Sequence, residues 1–309
     1  MQTATLSILK TLAYYNIFNY PLTREEIISL MDAIYSEKEI TDAFQLLEKD
    51  ELIFQIDGFY SLYNAPFLVQ RRKKGNEKAK GQLKVATRIA KLLSRFPYVK
   101  GVAVSGSLSK NFADEQSDID FFIITSQNRL WISRTFMHLF KKLTYFVGKQ
   151  HWFCMNYYLD EVGLELKEKN IFTAMEAVTT MPLRGDLAFS DFIVANDWTK
   201  KFFPKKTTEL SSSKRIRTGL LKRFVETIFN NRFGNWLDDR LMKTTVRRWQ
   251  KKTESKKGNI RRIILGLDAG KHYCKPDPRY FQQKVVGQFN LKMEQLIMQL
   301  EPLTTMKAV

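Results

Sequence analysis

Leu6, Leu9, Leu12 and Ala13 fall at helical spacing near the start of the chain, and the pattern breaks between Asn16 and Pro21. Thr23 followed by Glu26 makes a capping box for a second helix, TREEIISLMDAI, and Ser36 with Glu39 opens a third, SEKEITDAFQLLEKD. Two short runs, Leu52–Ile56 and Phe59–Tyr63, meet at Asp57-Gly58, a strong hairpin signal. Residues 67–96 read as one basic helix with Leu83, Ala86, Ile89, Ala90 and Leu93 on its apolar side; its basic face is either solvated or a phosphate-binding wall. Past Pro97, Val99–Val104 reads as a strand, Ser105-Gly106-Ser107 as the start of a short helical turn, and Phe121–Thr125 as a second strand. Gln127–Val147 is an amphipathic helix and Trp152–Leu159 a strand. From Glu168 onward the patterns are helical, including a basic run from Ser213 to Gln250 whose aromatics read as core, a turn at Lys275–Pro278 and a last helix over Tyr280–Leu300.

At 309 residues, 44% hydrophobic and 13% aromatic, the chain buries a real core and is not disordered as a whole. Its formal charge is +18, unevenly placed: residues 1–66 carry −6, 67–100 carry +10, 101–200 carry −2 and 201–309 carry +16. That segmentation divides the chain into 1–66, a connector 67–98, a core 99–165 and a basic helical part 166–309. Cys154 and Cys274 are too few and too far apart for a disulfide framework or a zinc site, and His138, His151 and His272 share no ligand spacing. No stretch reaches the ~18 uncharged apolar residues of a membrane span, and the N-terminus lacks an export signal, so a cytoplasmic protein without membrane partners is expected.

Three helices and a hairpin within residues 1–66 resemble a winged helix-turn-helix. The third helix would then read DNA, yet it carries Lys38 and Lys49 against Glu37, Glu39, Asp42, Glu48 and Asp50. Phosphate repels such a surface, so a protein-contact role is favoured over DNA reading. The +16 tail points to an anionic acceptor such as an RNA end, with an acidic protein partner or simple solubility charge as the competing readings.

The chemistry concentrates in VKGVAVSGSLSKNFADEQSDIDFFIIT. Asp118 and Asp120 lie two apart at the mouth of a strand, so both carboxylates project to one face while Ile119 points inward. Carboxylates suit hard divalent ions, and a helix start suits phosphate oxygens. Gly106-Ser107, ten residues, then Asp118 and Asp120 resemble the signature of the polymerase-beta superfamily of nucleotidyltransferases, in particular the minimal ones that read GSxARG and later SDID. Lys110 stands where their Arg sits, and Asn111 replaces the Gly that ends the short helix in a left-handed conformation.

The resemblance implies an α+β fold: a polymerase-beta-type mixed sheet with helices, flanked by the winged-helix-like unit and a C-terminal helical domain. It implies transfer of NMP from an NTP to a hydroxyl, with two Mg²⁺ ions on Asp118 and Asp120 and with Gly106, Ser107 and Lys110 on the triphosphate. Active members add a third carboxylate. Asp160 or Asn156 fills that position here, the former slightly favoured, while Glu161 and Glu165 read as solvated. An Asn would weaken the second metal and point instead to a non-catalytic nucleotide-binding regulator that uses residues 1–66 for partner contacts.

Overall fold

The computed structural model describes residues 3–115, 117–144, 153–210, 213–254, 266–277 and 279–306. The chain opens with α1 (Ala4–Asn16), β1 (Leu22–Thr23), α2 (Arg24–Ser29), α3 (Glu37–Lys49), β2 (Phe54–Ile56) and β3 (Phe59–Ser61). Thr23 and Ser36 both close capping boxes, which satisfies backbone N–H groups at the starts of α2 and α3. Asp57 and Gly58 take φ of 51° and 80°, giving the two-residue reversal between β2 and β3, and the small sheet runs β1-β3-β2.

Helix α4 (Pro66–Leu93) starts on a proline, whose missing N–H costs nothing at a helix start. Its buried positions Leu68, Arg72, Gly75 and Ala79, then Ala86, Ala90 and Leu93, keep one stripe inward over most of its length. The first half of that stripe meets residues 20–26 through Arg72, and the second half joins the core of the large sheet.

That sheet contains β4 (Val99–Val104), β5 (Asp120–Thr125), β6 (Cys154–Asp160), β7 (Met181–Arg184), β8 (Gly266–Ala269) and β9 (Tyr273–Asp277), in the order β7-β4-β5-β6-β9-β8. Among the described strands of this sheet only β5 and β6 pair in parallel, with α6 (Leu130–Thr144) in the crossover between them. Both faces are covered, so β5 reads Phe-Phe-Ile-Ile rather than alternating with polar residues. Phe121 and Ile123 pack with α4 and α6; Phe122 and Ile124 pack with α7 (Ile171–Thr179) and α8 (Asp186–Ala195). Then follow α9 (Leu220–Phe229), α10 (Arg232–Glu254) and α11 (Arg279–Met306).

Three expectations need correction. Residues 166–309 are not a helical domain set beside the sheet, because β7, β8 and β9 form both of its flanks. Lys275-Pro276-Asp277 is strand rather than turn: β6 pairs only with Tyr273 and Cys274, so Pro276 is held on one side alone, by Leu267, and its missing N–H is tolerated. The first 62 residues, moreover, share a core with Ile171, Met175, Phe203, Val285 and Phe289. The expected 213–250 helix is interrupted at Asn230-Asn231, where the Asn231 side chain accepts from Gly234 N. His151 falls outside the described residues. No described helix is long and apolar enough to cross a membrane.

Candidate active site

Strand β4 ends at Val104, Ser105 is extended, and Gly106 turns the chain with φ of 68° into a single helical turn, α5 (Gly106–Ser109). A Cβ at Gly106 would lie 2.8 Å from Asp120 Oδ2, so close approach and backbone sign both demand glycine. Asn111 closes the turn at φ 58°, as its place in the motif predicts. Ala113 N then donates to Gly75 O, docking the loop on α4. Asp114 N donates to Ser117 Oγ, and that hydroxyl donates back to Asp114 Oδ1, a closed loop that leads into Asp118. Asp118 is exposed, Ile119 buried and Asp120 half-buried, the alternation expected of a strand mouth. Ser105 N donates to Asp120 O, which fixes the helical turn against the acid pair.

Gly106, Ser107, Lys110, Asp120, Arg71 and Glu176 line one side of a cavity of about 380 Å³. Burial, together with the neighbouring Asp118 and Glu176 carboxylates, pushes Asp120 up to about 6; the Cys154 thiol and Lys110 oppose the shift. Cys154 itself is pushed up to about 12 by burial and by Asp120, so it is no nucleophile.

The residue that meets Asp120 from β6 is Asn156. Asp120 pairs with Cys154 and Phe121 with Met155, but Phe122 pairs with Tyr157, which leaves Asn156 as the extra residue of a bulge. Its Nδ2 donates to Asp120 Oδ1, and its Oδ1 accepts from Cys154 Sγ. Asp160, the favoured third acid, lies opposite Thr125, five residues along β5 from Asp120 and so roughly 16 Å away at about 3.3 Å per residue. It is fully buried, accepts from Asn128 N, Val162 N and Gly163 N, and sits 2.8 Å from His272 Nδ1. Asp160 therefore organises the loops beyond β5 and β6 and takes no part in the Asp120 cluster. His138 stays neutral, its pKa lowered to about 3 by burial.

Glu176, on α7, escaped the sequence reading. It accepts from Lys110 Nζ at 2.7 Å, while Lys110 also reaches Gly106 O at 3.1 Å. One signal was available: Glu176 is the lone charged residue in the apolar run IFTAMEAVT. Residues 1–66 reach the same place, since Tyr20 Oη donates to Lys110 O at 2.6 Å and its ring packs edge-on against Phe112. Of the basic helices, α4 lends Arg71 to the cavity and α9 does not reach it. Lys222 of α9 donates to Val99 O, at the opposite end of β4 from Gly106, so α9 is no wall of this cavity.

Among the described residues no three His, Cys, Asp or Glu side chains converge as a metal cage. Two carboxylates completed by phosphate oxygens and water nevertheless suit Mg²⁺, which is seldom held by an all-protein cage. The Asp120 carboxyl beside Asp118 fits that donor set, because a cation there would offset the burial and, to a lesser degree, the carboxylate crowding that raise its pKa.

A mixed sheet with Gly-Ser heading a one-turn helix against Asp-x-Asp on the next strand defines a nucleotidyltransferase-type centre. Residues 86–175 match the family model described as a nucleotidyltransferase domain, and this part of the chain is such a domain, of polymerase-beta type. The match spans under a third of the sequence. No curated protein and no solved structure matches the chain.

Proposed function

We propose that the protein binds an NTP as its Mg²⁺ complex and transfers NMP to a hydroxyl acceptor. The observation that carries this reading is the pair Asp118 and Asp120, one exposed and one half-buried, set against the Gly106 turn. Asp118 and Asp120 would hold the divalent ion, which when bound neutralises triphosphate charge and acidifies an acceptor hydroxyl. The exposed Ser107 hydroxyl is free to face the phosphates, and Lys110 joins it by exchanging Glu176 for a phosphate oxygen. The acceptor oxygen then bonds to the α-phosphorus as pyrophosphate leaves.

Asn156 favours a second reading, a nucleotide-binding regulator with slow or no turnover, because an amide stands where a third carboxylate would complete the site. In both readings residues 1–66 act as a winged-helix-like contact unit. Arg24 is engaged internally by Glu37 and Thr41, and Asp57 at the hairpin tip pairs with Lys73, which supports protein contact over DNA reading.

Incubation with labelled NTPs, Mg²⁺ or Mn²⁺ and cellular RNA, protein or small-molecule fractions separates the two, with Asp118→Ala/Asp120→Ala as control. Label transfer that the double variant abolishes supports transfer; metal-dependent NTP binding without label supports the regulator. Absence of both would remove nucleotide chemistry from this protein.

A further inference from the structure

Helix α9 is mounted the wrong way round for an ordinary surface helix. Leu220, Leu221, Phe224 and Ile228 fall within about a 100° arc at 3.6 residues per turn, so they form one apolar face, and that face points to solvent. Leu220 is 85% exposed, Leu221 78% and Phe224 64%. The polar face is the one turned inward. Lys222 is buried, its pKa lowered to about 8 by desolvation, and it donates to Val99 O at 2.6 Å and Ser94 O at 3.1 Å. Glu226 accepts from Tyr98 N at 2.7 Å. The sheet end thus grips α9 by its charged residues and presents its hydrophobic ones.

Across Asn230-Asn231, the start of α10 carries a second exposed aromatic group. Phe229, Phe233 and Trp236 form a stacked row with centroids 6.2 and 5.6 Å apart, Phe233 and Trp236 both largely exposed, and Arg240 lies over the Trp236 ring. The segment that bears both groups is cationic: residues 213–254 contain 12 Lys and Arg, Lys222 among them turned inward, against 4 Asp and Glu. An apolar strip in a cationic field needs a partner that is both greasy and anionic. A second copy of the chain would supply the grease but oppose like charges. A nucleic acid would supply phosphate and stack on the aromatics, but it gives Leu220, Leu221 and Ile228 nothing to dissolve in. An anionic phospholipid surface answers both, with acyl chains for the aliphatic and aromatic residues and headgroups for the arginines.

We infer that α9 and the start of α10 form an interfacial docking surface for anionic phospholipid membranes, lying in the headgroup plane without crossing the bilayer. The surface lies at the Val99 end of β4, about 20 Å of strand from Gly106 at roughly 3.3 Å per residue, so docking leaves the nucleotide site open.

The test is sedimentation of the full-length protein with phosphatidylcholine vesicles and with vesicles containing about a third phosphatidylglycerol, at low and high salt. Binding is expected to the anionic vesicles alone and to weaken with salt. Leu220→Ser/Leu221→Ser/Phe224→Ser, and separately Phe233→Ser/Trp236→Ser, should each lower the partition coefficient at least about tenfold with circular dichroism unchanged, since these side chains pack little against the fold. No sedimentation with anionic vesicles overturns the inference, as does binding that both variants retain. So does a wild-type dimer that the triple variant converts to monomer, or single-stranded RNA binding lost in the variants while vesicles are ignored.

Discussion

Replacing Asn156 with Asp puts a carboxylate where the bulge of β6 now places an amide. The change removes the hydrogen bond from Nδ2 to Asp120, a charge-assisted contact worth about 1.5–3 kcal/mol. It also sets two carboxylates side by side. At about 4 Å and an effective dielectric near 20, two unit charges interact by about 4 kcal/mol, here repulsive. Without divalent ions at about pH 8, N156D should therefore lose up to roughly 5–7 kcal/mol, or about 8–14 °C in Tm for a protein of this size. Added Mg²⁺ or Mn²⁺ should recover most of the loss in the variant and shift the wild type far less, because the ion becomes the counter-charge for three acids rather than two. Differential scanning calorimetry with EDTA and with each metal reads both effects, and label transfer from NTP should rise in the variant. A variant as stable as wild type in EDTA, with no extra response to metal, would show that Asn156 does not share the ion position with Asp120.

The remaining predictions concern charges the fold keeps close. Glu176→Gln should release Lys110 and tighten metal-NTP binding several-fold by calorimetry, the scale of a partly exposed ion pair; weaker binding would mean that Glu176 orients Lys110 for phosphate rather than competing for it. Burial lifts the Asp238 carboxyl to about 7 from an ordinary 3.8, so its stabilising protonated form is complete below pH 3.8 and lost as pH rises through 7. Asp238→Asn should flatten the stability profile across that window and exceed wild type at about pH 8; an unchanged profile by chemical denaturation would refute the assignment. Arg72 is buried, paired with both oxygens of Glu26 and stacked 4.0 Å over Tyr20, so Arg72→Met should cost about 3–5 kcal/mol in chemical denaturation, and a loss under 1 kcal/mol would contradict the pairing described.

Local chemistry was the legible part of this sequence. Gly106, Asp118, Asp120 and Asn111 announce themselves because a turn, a strand mouth and a left-handed residue each need particular side chains within a few positions. The capping boxes at Thr23 and Ser36 and the reversal at Asp57-Gly58 were readable for the same reason. Asp160 misled because alternation tells which face a residue takes but not how far along the strand it lies, and the bulge at Asn156 breaks even the alternation. Strands β8 and β9 were invisible because pairing on the sheet's outer flank tolerates Pro276 and Asp277, residues that otherwise signal turns. Glu176 lay hidden since its partner Lys110 is 66 residues distant, and nothing local marks that meeting.

The first and last helices of the chain meet, Tyr14 of α1 against Phe289 of α11, and both rest on α7, where Tyr15 Oη donates to Met175 Sδ. Fragments cut at the apparent boundaries would therefore not behave as portable modules. A piece beginning at residue 67 would bare Met175 and Phe289 and strip the Tyr20 hydroxyl from Lys110 O, so losses incurred by truncation at either end would register at the triphosphate turn. Fusion partners and affinity handles are best placed so that this junction between the two ends stays closed.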